Sequence, residues 1–104
     1  MVRLEALIIA DRYGLSKVGD MIVDFHTHIF PPDVIEGRQD YADRDPAFAH
    51  IYGNPSARMV DAEGLVEAMD EEGVDKAVVF GFPWADTGIC RMANAYLLDA
   101  KARY

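Results

Sequence analysis

Two of the chain's three histidines stand one residue apart, in the stretch "MIVDFHTHIFPP" of residues 21–32. Imidazole nitrogen binds zinc, iron, nickel or manganese well. Side chains alternate across a strand, so if the strand begun by Ile22–Phe25 runs on to His28, residues 24, 26 and 28 share one face. His26 and His28 then lie two residue-rises apart, about 7 Å along the strand, and their rings can converge on one ion. The expectation is half of a divalent-metal site, with zinc first among the candidate ions. Asp24, on that face but deeper, is expected as a buried hydrogen-bonded carboxylate rather than a ligand. A bare H-x-H carries little information, and two polar residues at a strand–loop junction are the plain alternative. The composite of apolar strand, Asp24, paired histidines and proline-bearing loop favours the metal.

Other residue types that can do chemistry carry less. Trp84, with Phe82 and Pro83, follows a second strand at the same mouth as the histidines. Trp84 and Phe30 are candidate walls of a substrate pocket, with core or lid packing as the equal alternative. His50 has no ligand-like spacing and reads as a surface or packing histidine. Arg38, Arg44 and Arg58 share a loop with Asp40, Asp43 and Asp45, which are their expected partners, so none is named as a site. Asp86 fits a helix cap. Cys90 opens the last helix, where a thiolate is stabilised, but with no partner base it reads as packing. The acidic run at 70–72 reads as a solvated helix face.

These residues need elements to position them. Residues 2–10 fit a short helix and "GLSKVGD" a connector, so residues 1–20 read as a leader or N-terminal extension ahead of Met21. Residues 29–60 show no sustained period and read as a long loop with short helical pieces, of the kind that is usually functional. In "DAEGLVEAMDEEGVDKAVVF", Asp61 is an N-cap candidate, Glu63 suits the helix dipole, and Leu65, Val66 and Met69 form an apolar face. Gly73 sits where a C-terminal cap belongs. Lys76–Phe80 reads as the second strand. Residues 89–103 fit a final helix with Met92, Ala93, Tyr96, Leu97 and Ala100 on its apolar side. Strands alternating with helices predict an α/β fold with a parallel sheet, whose strand ends are where sites lie.

The composition bounds the function. The chain has 104 residues, 51% of them hydrophobic, so a modest core is possible. With 18 acidic and 10 basic side chains its net charge is −8, which opposes a nucleic-acid backbone or an anionic membrane surface as partner. A small-molecule substrate is expected instead. A single cysteine excludes an intrachain disulfide. No apolar run approaches the roughly 20 residues of a membrane span, and a cytoplasmic location is the expectation.

"IVDFHTHIFPP" resembles the first barrel strand of the metal-dependent amidohydrolase superfamily. Within it the likeness is greatest to the branch of aminocarboxymuconate-semialdehyde decarboxylase-like and "amidohydrolase 2" proteins. "LVEAMDEEGVDKAVVFGFPW" is similar to the helix and second strand of that branch, so the likeness covers about residues 21–104. The resemblance implies a TIM (β/α)8 barrel with a metal at its carboxyl-terminal mouth and His26 and His28 as first-strand ligands. It also implies hydrolysis or non-oxidative decarboxylation of a small carbonyl or carboxylate substrate. Members of the family take further ligands from later strands, usually another histidine and a strand-eight aspartate that handles the proton of the attacking water. A full barrel needs at least about 200 residues, so the expectation for residues 21–104 is the first two strand–helix units, the N-terminal part of such an enzyme. Two alternatives stand beside it. One is a non-catalytic fragment or interaction module that self-associates through an open sheet edge. The other is a TatD-like nuclease or PHP-type phosphoesterase, which the acidic charge and the "FPP" after the histidines disfavour.

Overall fold

The computed structural model describes residues 21–104 and the backbone of residues 7–9. The elements run β1 (Leu7–Ile9), β2 (Val23–His28), α1 (Pro32–Glu36), α2 (Arg38–Arg44), α3 (Pro46–Tyr52), α4 (Ala62–Glu72), β3 (Lys76–Phe80) and α5 (Thr87–Arg103). The sheet order is β1-β3-β2, with β2 parallel to β3 and β1 antiparallel to it. The result is a mixed α/β structure whose parallel pair is joined by a crossover, as the strand–helix alternation predicts.

Local chemistry accounts for the bounds of the crossover. The Asp61 carboxylate accepts the Gly64 N–H at the start of α4. At its end Gly73 adopts a φ of 70°, the left-handed cap that a side chain would strain. Val66 and Met69 are buried and Leu65 packs beside them. Asp86 accepts the Ile89 N–H at the head of α5. Ala93, Leu97 and Ala100 are buried as expected, whereas Met92 is 36% exposed at the margin of that face.

One expectation is corrected. Residues 7–9 form a strand, not a helix, pairing Leu7 with Val79 and Ile9 with Ala77; the β-branched pair Ile8–Ile9 suits a ladder better than a short helix. The expectations for residues 1–6 and 10–20 lie outside the described residues. Residues 29–60, read as a loop with helical pieces, hold three short helices in close succession. Asp45 builds the third: its buried carboxylate accepts the Ala47 and Phe48 N–H groups, and Pro46 supplies the first helical residue.

Two packed clusters support the sheet. Ile29, Val66, Met69, Val79 and Leu97 join α4 and α5 to the strands. Phe30, Val34, Phe48, Phe82, Trp84 and Ile89 form an aromatic-rich cluster beyond the carboxyl ends of β2 and β3. Among the described residues no helix is long and apolar enough to cross a membrane.

Candidate functional site

The strand does run on to His28, but not regularly. Asp24 is paired with Ala77 and Thr27 with Val79, so three steps along β2 match two along β3. Phe25 and His26 together stand opposite the single Val78, which makes a β-bulge. Asp24 and Thr27 consequently lie on the side of α4, lining a groove with Leu65, Met69 and Glu72. His26 and His28 emerge on the opposite side, over Phe80, with ring centroids 4.7 and 6.2 Å from it. The expected common face of residues 24, 26 and 28 is therefore corrected. So is the burial of Asp24, which is exposed and accepts the His26 backbone N–H at 3.1 Å.

The two imidazoles converge. Their Nε2 atoms are 3.0 Å apart, whereas two ligands on one ion with bonds of about 2.1 Å must hold their donors roughly 3.0–3.4 Å apart. The Phe80 carbonyl oxygen fixes the chemistry of one ring. A carbonyl only accepts, so His28 Nδ1 carries the proton and donates it at 3.1 Å, which leaves Nε2 with its lone pair aimed at His26. In the metal-free state the His26 Nε2–H donates into that lone pair. Burial pushes the His28 pKa below its usual value, and the neighbouring His26 pushes it the same way, against the Phe80 carbonyl, which favours the charged form. All three features suit a neutral metal-ligating histidine whose second nitrogen is held by a backbone oxygen. Among the described residues, no group of three or more histidine, cysteine, aspartate or glutamate side chains is arranged to hold an ion. The pair therefore fits half a coordination shell.

The other sequence candidates fall elsewhere. Phe30 and Trp84, candidate walls of a substrate pocket, are 2% and 5% exposed. Their ring faces are occupied by each other's neighbours: Phe30 meets Phe48 and Tyr52, and Trp84 meets Tyr41, Phe48 and Phe82. They form the floor beyond the strand ends. His50 is exposed on α3. Arg44 faces Asp86 at 3.7 Å and Arg38 donates to the Asn54 carbonyl, instead of the loop aspartates expected. The Cys90 thiol donates to the Trp84 carbonyl, which agrees with packing. Sequence reasoning missed Phe80 as the residue that orders His28, since nothing in the sequence gives strand register. It also missed Asp45, whose second oxygen accepts the Ala85 N–H and ties the loop after β3 to α3; the Asp–Pro pair was the available signal.

Compared with known proteins, the chain matches no family model, no curated protein and no solved structure.

Proposed function

We propose that residues 21–104 are the opening two strand–helix units of a metal-dependent amidohydrolase-type barrel, with His26 and His28 as first-strand ligands of a divalent ion, zinc first among the candidates. One observation carries this reading: the two Nε2 atoms sit within ligand distance of each other, and the Phe80 carbonyl holds the His28 tautomer that binds metal. The parallel β2–α4–β3 crossover, with the pair at its carboxyl end, supports it. Bound there, a divalent ion lowers the pKa of water and polarises a carbonyl or carboxylate, which serves hydrolysis or decarboxylation of a small substrate. The chain's own part is to offer two imidazole nitrogens, keep one ring fixed by backbone, and shelter the strand ends with the Phe30–Phe48–Trp84 cluster. The remaining ligands and the proton-handling group must come from other residues.

Cobalt(II), a spectroscopic stand-in for zinc, tests the reading. The chain is expected to bind it with a visible absorption band, and a His26→Ala/His28→Ala double variant to lose at least about tenfold in affinity. Equal binding by both proteins removes the site. A parent enzyme that cleaves phosphodiesters would move the reading to the TatD or PHP lineages.

A second reading has its own support. In a closed barrel the outer edge of β3 pairs with the third barrel strand, and here antiparallel β1 occupies it. That favours a self-sufficient three-stranded unit which acts as an interaction module, through the edge of β2 that stays unpaired among the described residues.

A further inference from the structure

We propose that Asp24 is the positioning residue for His26: by holding the β-bulge it places the imidazole beside His28. This rests on reading the pair as metal ligands, and it assigns Asp24 a role other than ligation. In a regular strand Asp24 and His26 share a face. Here the extra residue puts the Asp24 carboxylate on the α4 side with Thr27, while His26 stands over Phe80 on the other. A bulge leaves its extra residue outside the ladder, and neither Phe25 nor His26 has a ladder partner. The Asp24 Oδ1 accepts the N–H of His26 at 3.1 Å, a turn closed by a side chain onto the backbone two residues on. Downstream, Thr27 Oγ1 donates to the Val78 carbonyl and His28 pairs with Phe80, so the far side of the bulge is anchored independently. Among the described residues, the hydrogen bond that holds the His26 backbone on the near side is the one to the Asp24 carboxylate.

The test compares Asp24→Ala with Asp24→Asn in the full chain, with two readouts. In the metal-free protein, proton NMR is expected to show a cross-peak between the His26 and Phe80 rings, lost in Asp24→Ala and kept in Asp24→Asn, whose amide oxygen still accepts the N–H. Cobalt(II) affinity is expected to fall about tenfold in Asp24→Ala and to recover in Asp24→Asn. Recovery in the uncharged Asn variant separates positioning from mere attraction of a cation by the carboxylate. A ring cross-peak that survives in Asp24→Ala overturns the inference, and so does equal weakening of metal binding in both variants. If the unsubstituted chain binds no cobalt, the metal reading fails and the cross-peak alone decides the role of Asp24.

Discussion

At the scale of single residues, His28 is where geometry and titration meet. Its pKa lies below the usual 6.5, first because it is partly buried and then because His26 adjoins it. The unfolded chain takes up a proton near its ordinary value while the fold resists, so the contribution is fully present above that value and is lost as pH falls through the lowered folded one. The chelator-treated chain is therefore expected to lose urea resistance as pH is lowered from 7 to about 5, before most carboxylates titrate. A His28→Asn variant keeps a donor for the Phe80 carbonyl but has no ionising ring, so its urea midpoint should fall less over that range. Parallel pH profiles for the two proteins would discard this account. The same residue shows what was legible. That His26 and His28 share a face could be read from their spacing. The bulge that removes Asp24 from that face could not, because it involves no glycine or proline and is recorded only in the register against β3.

At the scale of elements, capping chemistry was the clearest signal in the sequence. Asp61, Gly73 and Asp86 mark the ends of α4 and α5 because each satisfies terminal backbone groups by a local rule. Helices α1, α2 and α3 have five to seven residues each, under two turns, which is too short for an apolar period to emerge. They persist through packing and through Asp45. That carboxylate accepts three backbone N–H groups, from Ala47, Phe48 and Ala85, while only 2% of the residue is exposed. Asp61, half-buried, accepts one at Gly64. Asp45→Ala is therefore expected to cost about 2–3 kcal/mol, because buried donors lose their partner, against about 1 kcal/mol for Asp61→Ala as an ordinary cap. Urea unfolding of the two variants ranks them, and a reversed or equal order would mean that the Asp45 bonds are replaced by solvent. Strand β1 shows the opposite limit: its three residues are specified by the edge of β3, a partner some seventy positions away, and not by local pattern.

At the scale of the whole molecule, the outer edge of β2 and the charge of the chain oppose each other. The described ladder pairs β2 with β3 alone, and Met21, Ile22 and Phe25 beside that edge are 47%, 49% and 75% exposed. An unpaired strand with large apolar side chains is a template for a second copy. Against this, the bulge interrupts the ladder in mid-strand, and a net charge of −8 on each chain repels the other. Repulsion of this kind is screened within about 8 Å at physiological ionic strength, and burial of apolar rings is not. The balance should therefore move with salt. Sedimentation of the metal-free chain is expected to show a larger associated fraction at 0.5 M sodium chloride than at 0.02 M. Phe25→Lys should return it to monomer at both, because it removes an apolar ring that is 75% exposed and puts an ammonium where strand pairing would have to bury it. Phe25 is three-quarters exposed, so its replacement should leave the unfolding free energy read from urea titration within about 0.5 kcal/mol of the original. Association that weakens with salt would identify an ionic contact instead, and association untouched by Phe25→Lys would place the interface away from β2. If the histidine pair also binds metal, the same Phe25→Lys chain separates the two properties: metal affinity kept while association is lost would show that the ligand face and the open edge of one strand work independently.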